Sequence, residues 1–239
     1  MQTVILCGGK GTRAYPDTVE LPKPLLPVAG EPVLLHTMRI YAEQGFEEFI
    51  LAAGFLAERI ADFARGLPSS WQVEVVDTGS DTNTAGRILR CQHLLDGTFL
   101  ANYADGLGNV DIPAVVAFHQ AHPAAGTLVT VPLPSQYGTV EFDGDGRIER
   151  FREKPKLPDH WINGGYFVFE PAAFDHWAGE DLERDVLPAL AAAGELYAYQ
   201  HRGFWKSMDT YKDALELSAL ADSEQGAPWA VTSRARASS

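Results

Sequence analysis

Gly8-Gly9-Lys10-Gly11-Thr12-Arg13 directly follows the apolar run Val4-Ile5-Leu6, and a proline-rich segment then leads to Pro22-Lys23-Pro24. A strand, a loop of bare backbone, an arginine and then a lysine describe a seat for a nucleoside triphosphate. Glycine lets main-chain N–H groups approach phosphate oxygens with no Cβ in the way. Arg13 and Lys23 bring the positive charge that a polyanion requires. Two other phosphate loops compete with this reading. Gly9 to Ala14 satisfies G-x-G-x-x-G/A after a strand, but that dinucleotide fingerprint needs a helix to open at the loop. Pro16, Pro22, Pro24 and Pro27 oppose such a helix, because each removes a donor and restrains its predecessor. The P-loop pattern fails because its lysine must precede Ser or Thr, and Lys10 precedes Gly11. A glycine-rich turn without chemistry remains the plain alternative.

Acidic residues stand at two further strand ends. Asp105 follows Tyr103-Ala104, and Asp209 closes the aromatic string Phe204-Trp205-Lys206-Ser207-Met208-Asp209-Thr210. Alone, each is more often an N-cap or turn aspartate. Beside a phosphate loop they point to Mg²⁺, which is held by one or two carboxylates plus substrate phosphates. Glu153-Lys154-Pro155 reads either as a solvated charge pair or as a lysine for a sugar phosphate with a carboxylate for sugar hydroxyls. Asn163-Gly164-Gly165 offers an amide and a close backbone approach, or simply a strand bulge. In Thr78-Gly79 and Thr82-Asn83-Thr84-Ala85-Gly86-Arg87, hydroxyls and helix N–H groups could read a base edge and Arg87 could reach a phosphate. An ordinary capped helix start is the alternative. His119 and His122 give too few ligands for a metal, and no Ser/His/Asp or Cys/His set announces a covalent nucleophile.

These groups need a scaffold, and the first half of the chain alternates strand and helix signals. Strands are predicted at Val4 to Cys7, Phe49 to Ala53, Trp71 to Val76 and Thr98 to Tyr103. Helices are predicted at Pro32 to Gln44, Leu56 to Ala64, Gly86 to Leu95 and Asp111 to His122, with Gly45 as a stop and Asp111 as an N-cap. The expected fold is α/β, a mainly parallel Rossmann-like sheet covered by helices on both faces, with a smaller β-rich portion. After about residue 126 strands dominate: Thr127 to Val131, Gly138 to Phe142, Arg147 to Arg152 and Ile162 to Phe169. Asp143-Gly144-Asp145-Gly146 makes a hairpin turn between the second and third of these. Helices follow at Leu182 to Ala193 and Tyr211 to Ala221, with an aromatic strand near 203–207 between them. Residues 1–224 are expected to form one domain, with halves 1–125 and 126–224, and 225–239 a loose Ala/Ser-rich tail. Ligands of open α/β sheets bind beyond the carboxyl ends of the strands, so Gly8 and Asp105 could face one crevice.

The 239 residues, 46% hydrophobic, suffice for a substantial core. No apolar stretch reaches membrane-spanning length and no charged-then-apolar leader precedes the first strand, so no membrane association is expected. Cys7 and Cys91 lack metal-site spacing and read as buried thiols of a cytoplasmic protein. A net charge of −13 opposes nucleic-acid binding. It also means that any phosphate substrate must be attracted by local Arg, Lys and a divalent cation.

Taken together, GGxGTR, PKP, a strand-ending aspartate, EKP and a second aspartate after an aromatic strand resemble the sugar-phosphate nucleotidyltransferases, to about Trp229. Within that family the chain is most similar to the glucose-1-phosphate cytidylyltransferases. The closer signs are Val76-Asp77-Thr78-Gly79, Thr84-x-Gly86-Arg87, Ile162-Asn163-Gly164-Gly165, Phe204-Trp205-x-x-Met208-Asp209-Thr210 and Ala227-Pro228-Trp229. The resemblance implies a nucleotide site of Leu6, Gly8, Gly9, Gly11, Thr12, Arg13, Lys23, Thr82, Thr84, Gly86, Arg87 and Tyr103. It implies a sugar-phosphate site of Gly138, Glu153, Lys154, Asn163 and Gly164, with Asp105 and Asp209 on Mg²⁺. Arg13, Lys23, Asp105 and Asp209 would be the catalytic set, and a homo-oligomer is implied. Ala104 and Ala85 stand where the family usually has Gly, and Leu21 replaces the first Lys of a KPKP string. Lys206 and Ser207 stand where it tends toward a neutral residue and Pro. The implied reaction joins a nucleoside triphosphate, expected to be CTP, to a sugar 1-phosphate, expected to be glucose 1-phosphate. The sugar-phosphate oxygen attacks the α-phosphorus in line and pyrophosphate leaves. A thymidylyltransferase, another sugar specificity, or a non-catalytic paralogue that binds nucleotide sugars is the alternative.

Overall fold

In a computed structural model, which describes residues 1–11 and 20–230, strict two-residue alternation along the strands builds two separate cores. Val4, Leu6, Ile50, Ala52, Phe99, Ala101, Phe167 and Phe169 face one way, and Ile5, Phe49, Leu51, Ala53, Leu100, Tyr166 and Val168 the other. A strand buried on both faces reads as a continuous apolar run, which is what Val4-Ile5-Leu6 is. The strands and helices of the first half are β1 (Gln2–Leu6), β2 (Pro27–Val28), β3 (Glu31–Pro32), α1 (Val33–Ala42), β4 (Glu48–Ala53), α2 (Ala57–Ala64), β5 (Gln72–Asp77), α3 (Thr84–Cys91), β6 (Phe99–Tyr103), β7 (Gly106–Gly108) and α4 (Ile112–Gln120). The second half adds β8 (Gly126–Pro134), β9 (Thr139–Phe142), β10 (Ile148–Arg152), β11 (Lys156–Phe169), α5 (Leu187–Ala192), β12 (Leu196–Gln200), β13 (Trp205–Ser207) and α6 (Tyr211–Ala221).

The main sheet has seven strands in the order β12-β8-β11-β6-β1-β4-β5. β1 pairs in parallel with both β4 and β6, β4 with β5, and β8 with β12. Only β11 runs against its neighbours β6 and β8. Helices α1, α2, α4 and α6 pack on one face, and α3, α5 and the turn before α5 on the other, as the alternation of strands and helices leads one to expect. No helix among the described residues is long and apolar enough to cross a membrane.

Local chemistry sets the element ends. Asp111 accepts from the Ala114 N–H at 2.9 Å and caps α4, with Pro113 in its first turn. Gly45 takes φ +92° where α1 must stop. The Asp143 carboxylate accepts from the N–H groups of Asp145 and Arg147, closing the β9–β10 hairpin. Three expectations differ from what is observed. The helix expected from Leu182 opens instead with a π-helical turn, Leu182–Val186, before α5. The edge strand β12 and the glycine-bearing β7 were not anticipated. Of the stretch 225–239 expected to be loose, 231–239 lie outside the described residues, and Trp229 packs in the core against the edge of His36 and the ring of Phe204. A large apolar indole near a partly open helix edge gains more by burial than the chain loses in freedom.

Candidate functional site

The site forms where the sheet changes direction about β1. Leu6 lies beside Tyr103 in register, so the loops leaving β1 and β6 emerge side by side at the carboxyl end of the sheet. The first is Gly8-Gly9-Lys10-Gly11, in which Gly11 has φ +59°. The second carries Asp105. Its backbone is fixed on three sides: the Ala104 carbonyl accepts from Thr37 Oγ1 at 3.3 Å, the Asp105 carbonyl from the Met208 N–H at 2.9 Å, and the Gly106 carbonyl from the Tyr166 hydroxyl at 2.8 Å. β7 then pairs with β13 so that Ser207 opposes Gly106, which brings Asp209 next to Asp105.

Lys23 joins the two acids. It sits on a 3-10 turn, Lys23–Leu25, between Pro22 and Pro24, and its side chain is almost wholly buried. Its Nζ donates to Asp105 Oδ2 and, at 3.2 Å, to Asp209 Oδ1. Two carboxylates from distant parts of the chain thus meet around one cationic atom.

A cavity of about 520 Å³ opens over this cluster, within the range of small-molecule sites. Leu6, Gly8, Gly9, Gly11, Lys23 and Asp105 line it, as do Thr82, Thr84, Arg87 and Tyr103, and so do Asn163, Gly164 and Asp209. Gly86 is not in the lining; it packs inside α3, where a Cβ would come 2.9 Å from Thr82 Cγ2. Thr12 and Arg13 lie outside the described residues. Gly138, Glu153 and Lys154 lie on the β9–β10 hairpin and its exit, outside the cavity wall. Gly138 does face Glu153 there, since a Cβ on it would stand 3.1 Å from the Glu153 carboxylate.

Arg87, expected around the nucleotide, lines the cavity and also makes a set of bonds within the protein. Its guanidinium donates to the carbonyls of Ala53 at 3.1 Å, Gly79 at 2.9 Å and Gly8 at 2.9 Å, and to Thr78 Oγ1 at 2.6 Å. Those bonds make Arg87 a clip that ties the glycine loop to the ends of β4 and β5, while the residue also lines the cavity. A Cβ on Gly8 would fall 2.0 Å from Arg87 Nη1, so close approach by itself calls for glycine here. Burial lowers the Arg87 pKa.

The far wall was only partly foreseen. Glu183, on the π-helical turn, accepts from the Tyr103 hydroxyl and, at 3.1 Å, from Thr84 Oγ1, while Thr84 accepts the Leu182 N–H at 2.8 Å. Burial, reinforced by the Glu183 carboxylate, raises the Tyr103 phenol well above its ordinary value. Thr82 bonds to the Thr78 carbonyl and accepts from Arg90. Asn163 Oδ1 accepts the Gly165 N–H at 2.7 Å, and Trp205 Nε1 donates to the Gly164 carbonyl at 2.8 Å. Glu183, Asn83 and Trp205 line the cavity without having been singled out. Trp205 carried a signal, its place in the aromatic string; Glu183 in an acidic helix start carried none.

The cavity presents hard oxygen donors, an ammonium and glycine backbone, a set that suits phosphates and a small divalent cation. Among the described residues no third His, Cys, Asp or Glu completes a metal cluster, so further ligands would come from phosphate and water. Residues 2–224 match the nucleotidyl transferase family. The chain is 39% identical to a probable glucose-1-phosphate cytidylyltransferase of Bacillus subtilis, over 92% of this chain and 96% of that one. It is 34% identical to a glucose-1-phosphate cytidylyltransferase of Salmonella typhi, over 96% and 98%. A putative glucose-1-phosphate thymidylyltransferase from Bacillus anthracis shares the fold at a TM-score of 0.71 and 20% identity, over 96% and 98%. With its cavity at the switch point of the sheet and a match running through both halves of the fold, the chain belongs to the nucleotidyl transferase family.

Proposed function

We propose that this nucleotidyltransferase joins CTP to α-D-glucose 1-phosphate, giving CDP-glucose and pyrophosphate. The observation that carries the reading is the meeting of Asp105 and Asp209 around Lys23 beside the glycine loop. The base and sugar are drawn from the cytidylyltransferase relatives, which span nearly the whole chain.

The sugar-phosphate oxygen is already anionic, so the chemistry needs no enzyme base. The obstacle is gathering two polyanions and stabilising charge on the transferring phosphorus. Glycine N–H groups of the 8–11 loop receive the triphosphate. Lys23 holds the α-phosphate, and Arg13 neutralises the departing pyrophosphate. Asp105 and Asp209 hold Mg²⁺, which when bound screens the phosphate oxygens and withdraws charge from phosphorus. Thr82, Thr84 and Tyr103 border the nucleotide, with Gly86 packed behind them in α3. Asn163 and Gly164 border the sugar, with Glu153 and Lys154 reaching the sugar phosphate.

Those last two residues lie off the cavity wall, on a hairpin whose Val140, Phe142, Ile148 and Phe151 are exposed. An isolated two-stranded ribbon with an uncovered apolar side is marginal in water, which supports a homo-oligomer. Two free, buried thiols, Cys7 and Cys91, support a cytoplasmic setting. A panel of the four nucleoside triphosphates with Mg²⁺ and glucose 1-phosphate, read by pyrophosphate release, tests the proposal. Release with CTP is expected to exceed release with the other three. Preference for a thymidine triphosphate added to the panel would move the base assignment to the thymidylyltransferase alternative.

A further inference from the structure

Glu183 takes two hydroxyl protons from the cavity wall. The Tyr103 hydroxyl donates to its Oε1, and the Thr84 hydroxyl to its Oε2 at 3.1 Å. Burial, reinforced by the Glu183 carboxylate, raises the Tyr103 phenol, so that proton stays on Tyr103 and points at Glu183. The neighbouring donors are engaged as well. The N–H groups of Ala85 and Gly86, at the opening of α3, donate to the Glu180 carbonyl at 2.9 and 3.1 Å, and that of Thr84 to Asn83 Oδ1 at 2.9 Å. The Thr82 hydroxyl donates to the Thr78 carbonyl, and the Asn83 amide donates to Asp181 at 3.0 Å. A carboxylate has about four lone-pair sites, so Glu183 keeps acceptor capacity after these two bonds. Thr84, Tyr103 and Glu183 all line the cavity. This stretch of wall therefore faces a ligand with oxygen acceptors and no free hydroxyl donor. Glu183 also stands on the π-helical turn Leu182–Val186, a geometry that recurs at functional sites.

We propose that Glu183 is a specificity-determining residue for the base, accepting a hydrogen bond from the 4-amino group of cytosine. This rests on the reading of the cavity as a CTP site. At position 4 cytosine carries an amino donor, whereas uracil and thymine carry an oxygen acceptor. Against a wall of acceptors the amino group makes a hydrogen bond. An oxygen there meets lone pairs with lone pairs, and both groups leave water unpaired. Thr84 puts this wall on the nucleotide side. It opens α3, the helix that Arg87 ties to the glycine loop, while Asn163 and Gly164 lie on β11, on the far side of β6 from β1.

The test measures kcat/KM by pyrophosphate release for CTP, UTP and pyrimidin-2-one riboside triphosphate, which carries hydrogen in place of the 4-amino group. All three share ribose and triphosphate, so a disturbed fold or a weakened cation seat cancels in their ratios. The unsubstituted protein is expected to use CTP about 10-fold better than the analogue. Glu183→Gln, whose amide can donate to a 4-oxygen, should lower the ratio of CTP to UTP about 10-fold. Glu183→Ala should bring the ratio of CTP to analogue close to one. Equal use of CTP and analogue by the unsubstituted protein overturns the proposal. Unchanged ratios in the two variants overturn it too, because Glu183 then meets a shared hydroxyl or only braces Tyr103 and Thr84. Loss of all turnover in both variants marks the residue as a fold determinant and likewise overturns it. A preference of the unsubstituted protein for UTP, or no release with any of the three, instead overturns the CTP reading itself, and the inference with it.

Discussion

The carboxyl end of β1 and β6 and the β9–β10 hairpin handle polar and apolar groups in opposite ways. At the first, side chains are buried and joined: Thr37 and Tyr166 hold the turn under Asp105, Arg87 holds the glycine loop, and Lys23 closes the acid pair. At the second, Glu141 pairs with Arg150 and Arg152 in solvent, and Phe142 and Phe151 stand 68% and 61% exposed. The contrast teaches that the sheet by itself buries and joins the side chains at its carboxyl end. The hairpin, with Glu153 and Lys154 at its base, presents a surface that nothing among the described residues covers.

The largest effect should come from the first region. Asp105→Asn or Asp209→Asn should lower turnover by about 10²–10³-fold, the loss seen when one transition-state stabiliser goes, measured as pyrophosphate release at saturating Mg²⁺. Near-normal turnover in both would break the comparison at its strong side. Next comes Arg87→Met, expected to cost about 2 kcal/mol in urea unfolding, because three carbonyls and the Thr78 hydroxyl lose a buried donor. A loss under about 0.5 kcal/mol, the scale of a surface change, would mean the clip is idle.

A pH effect follows at the seam between α1 and the C-terminal segment. His36 Nε2 donates to the Val28 carbonyl at 2.9 Å and Nδ1 faces Trp229 Nε1 at 3.4 Å, so the neutral ring fits both. Burial lowers the His36 pKa below its ordinary 6.5, with Glu31 raising and Arg39 lowering it, and burial does the same to His201. The unfolded chain then binds more protons just below pH 6.5, so stability should fall as pH drops through that window. Melting curves between pH 7.5 and 5.5 check this, and His36→Gln should flatten the slope. The smallest stability effect belongs to the hairpin: Phe142→Glu should change unfolding by less than about 0.5 kcal/mol yet lower the sedimentation coefficient. An unchanged coefficient would remove the support the hairpin lends to an oligomer.

The same contrast explains what was legible in the sequence. Fully buried parallel strands show as apolar runs, and glycine or acid at their ends marks the site, so Gly8, Lys23, Asp105 and Asp209 could be read one by one. Their meeting could be inferred only through strand-end logic and resemblance. β12, Leu-Tyr-Ala-Tyr-Gln, is a half-exposed edge strand with no clean alternation, and β7 is Gly-Leu-Gly, which carries turn signals rather than strand ones. The bonds of Arg87 to the carbonyls of Gly8, Ala53 and Gly79 were not legible for a physical reason: those carbonyls lie at the ends of three separate strands that only the fold brings together. Glu183 is invisible for the same reason, since its partners Tyr103 and Thr84 are far from it in sequence.

Whether Asp105 and Asp209 act as one unit is tested most directly by pyrophosphate release from Asp105→Asn, Asp209→Asn and the double variant. If both carboxylates hold a single cation, removing the second after the first costs little, and the double variant should turn over at nearly the rate of the slower single variant. Losses that multiply in the double variant, or two single variants close to the unsubstituted rate, would contradict the shared seat on which the proposed reaction depends.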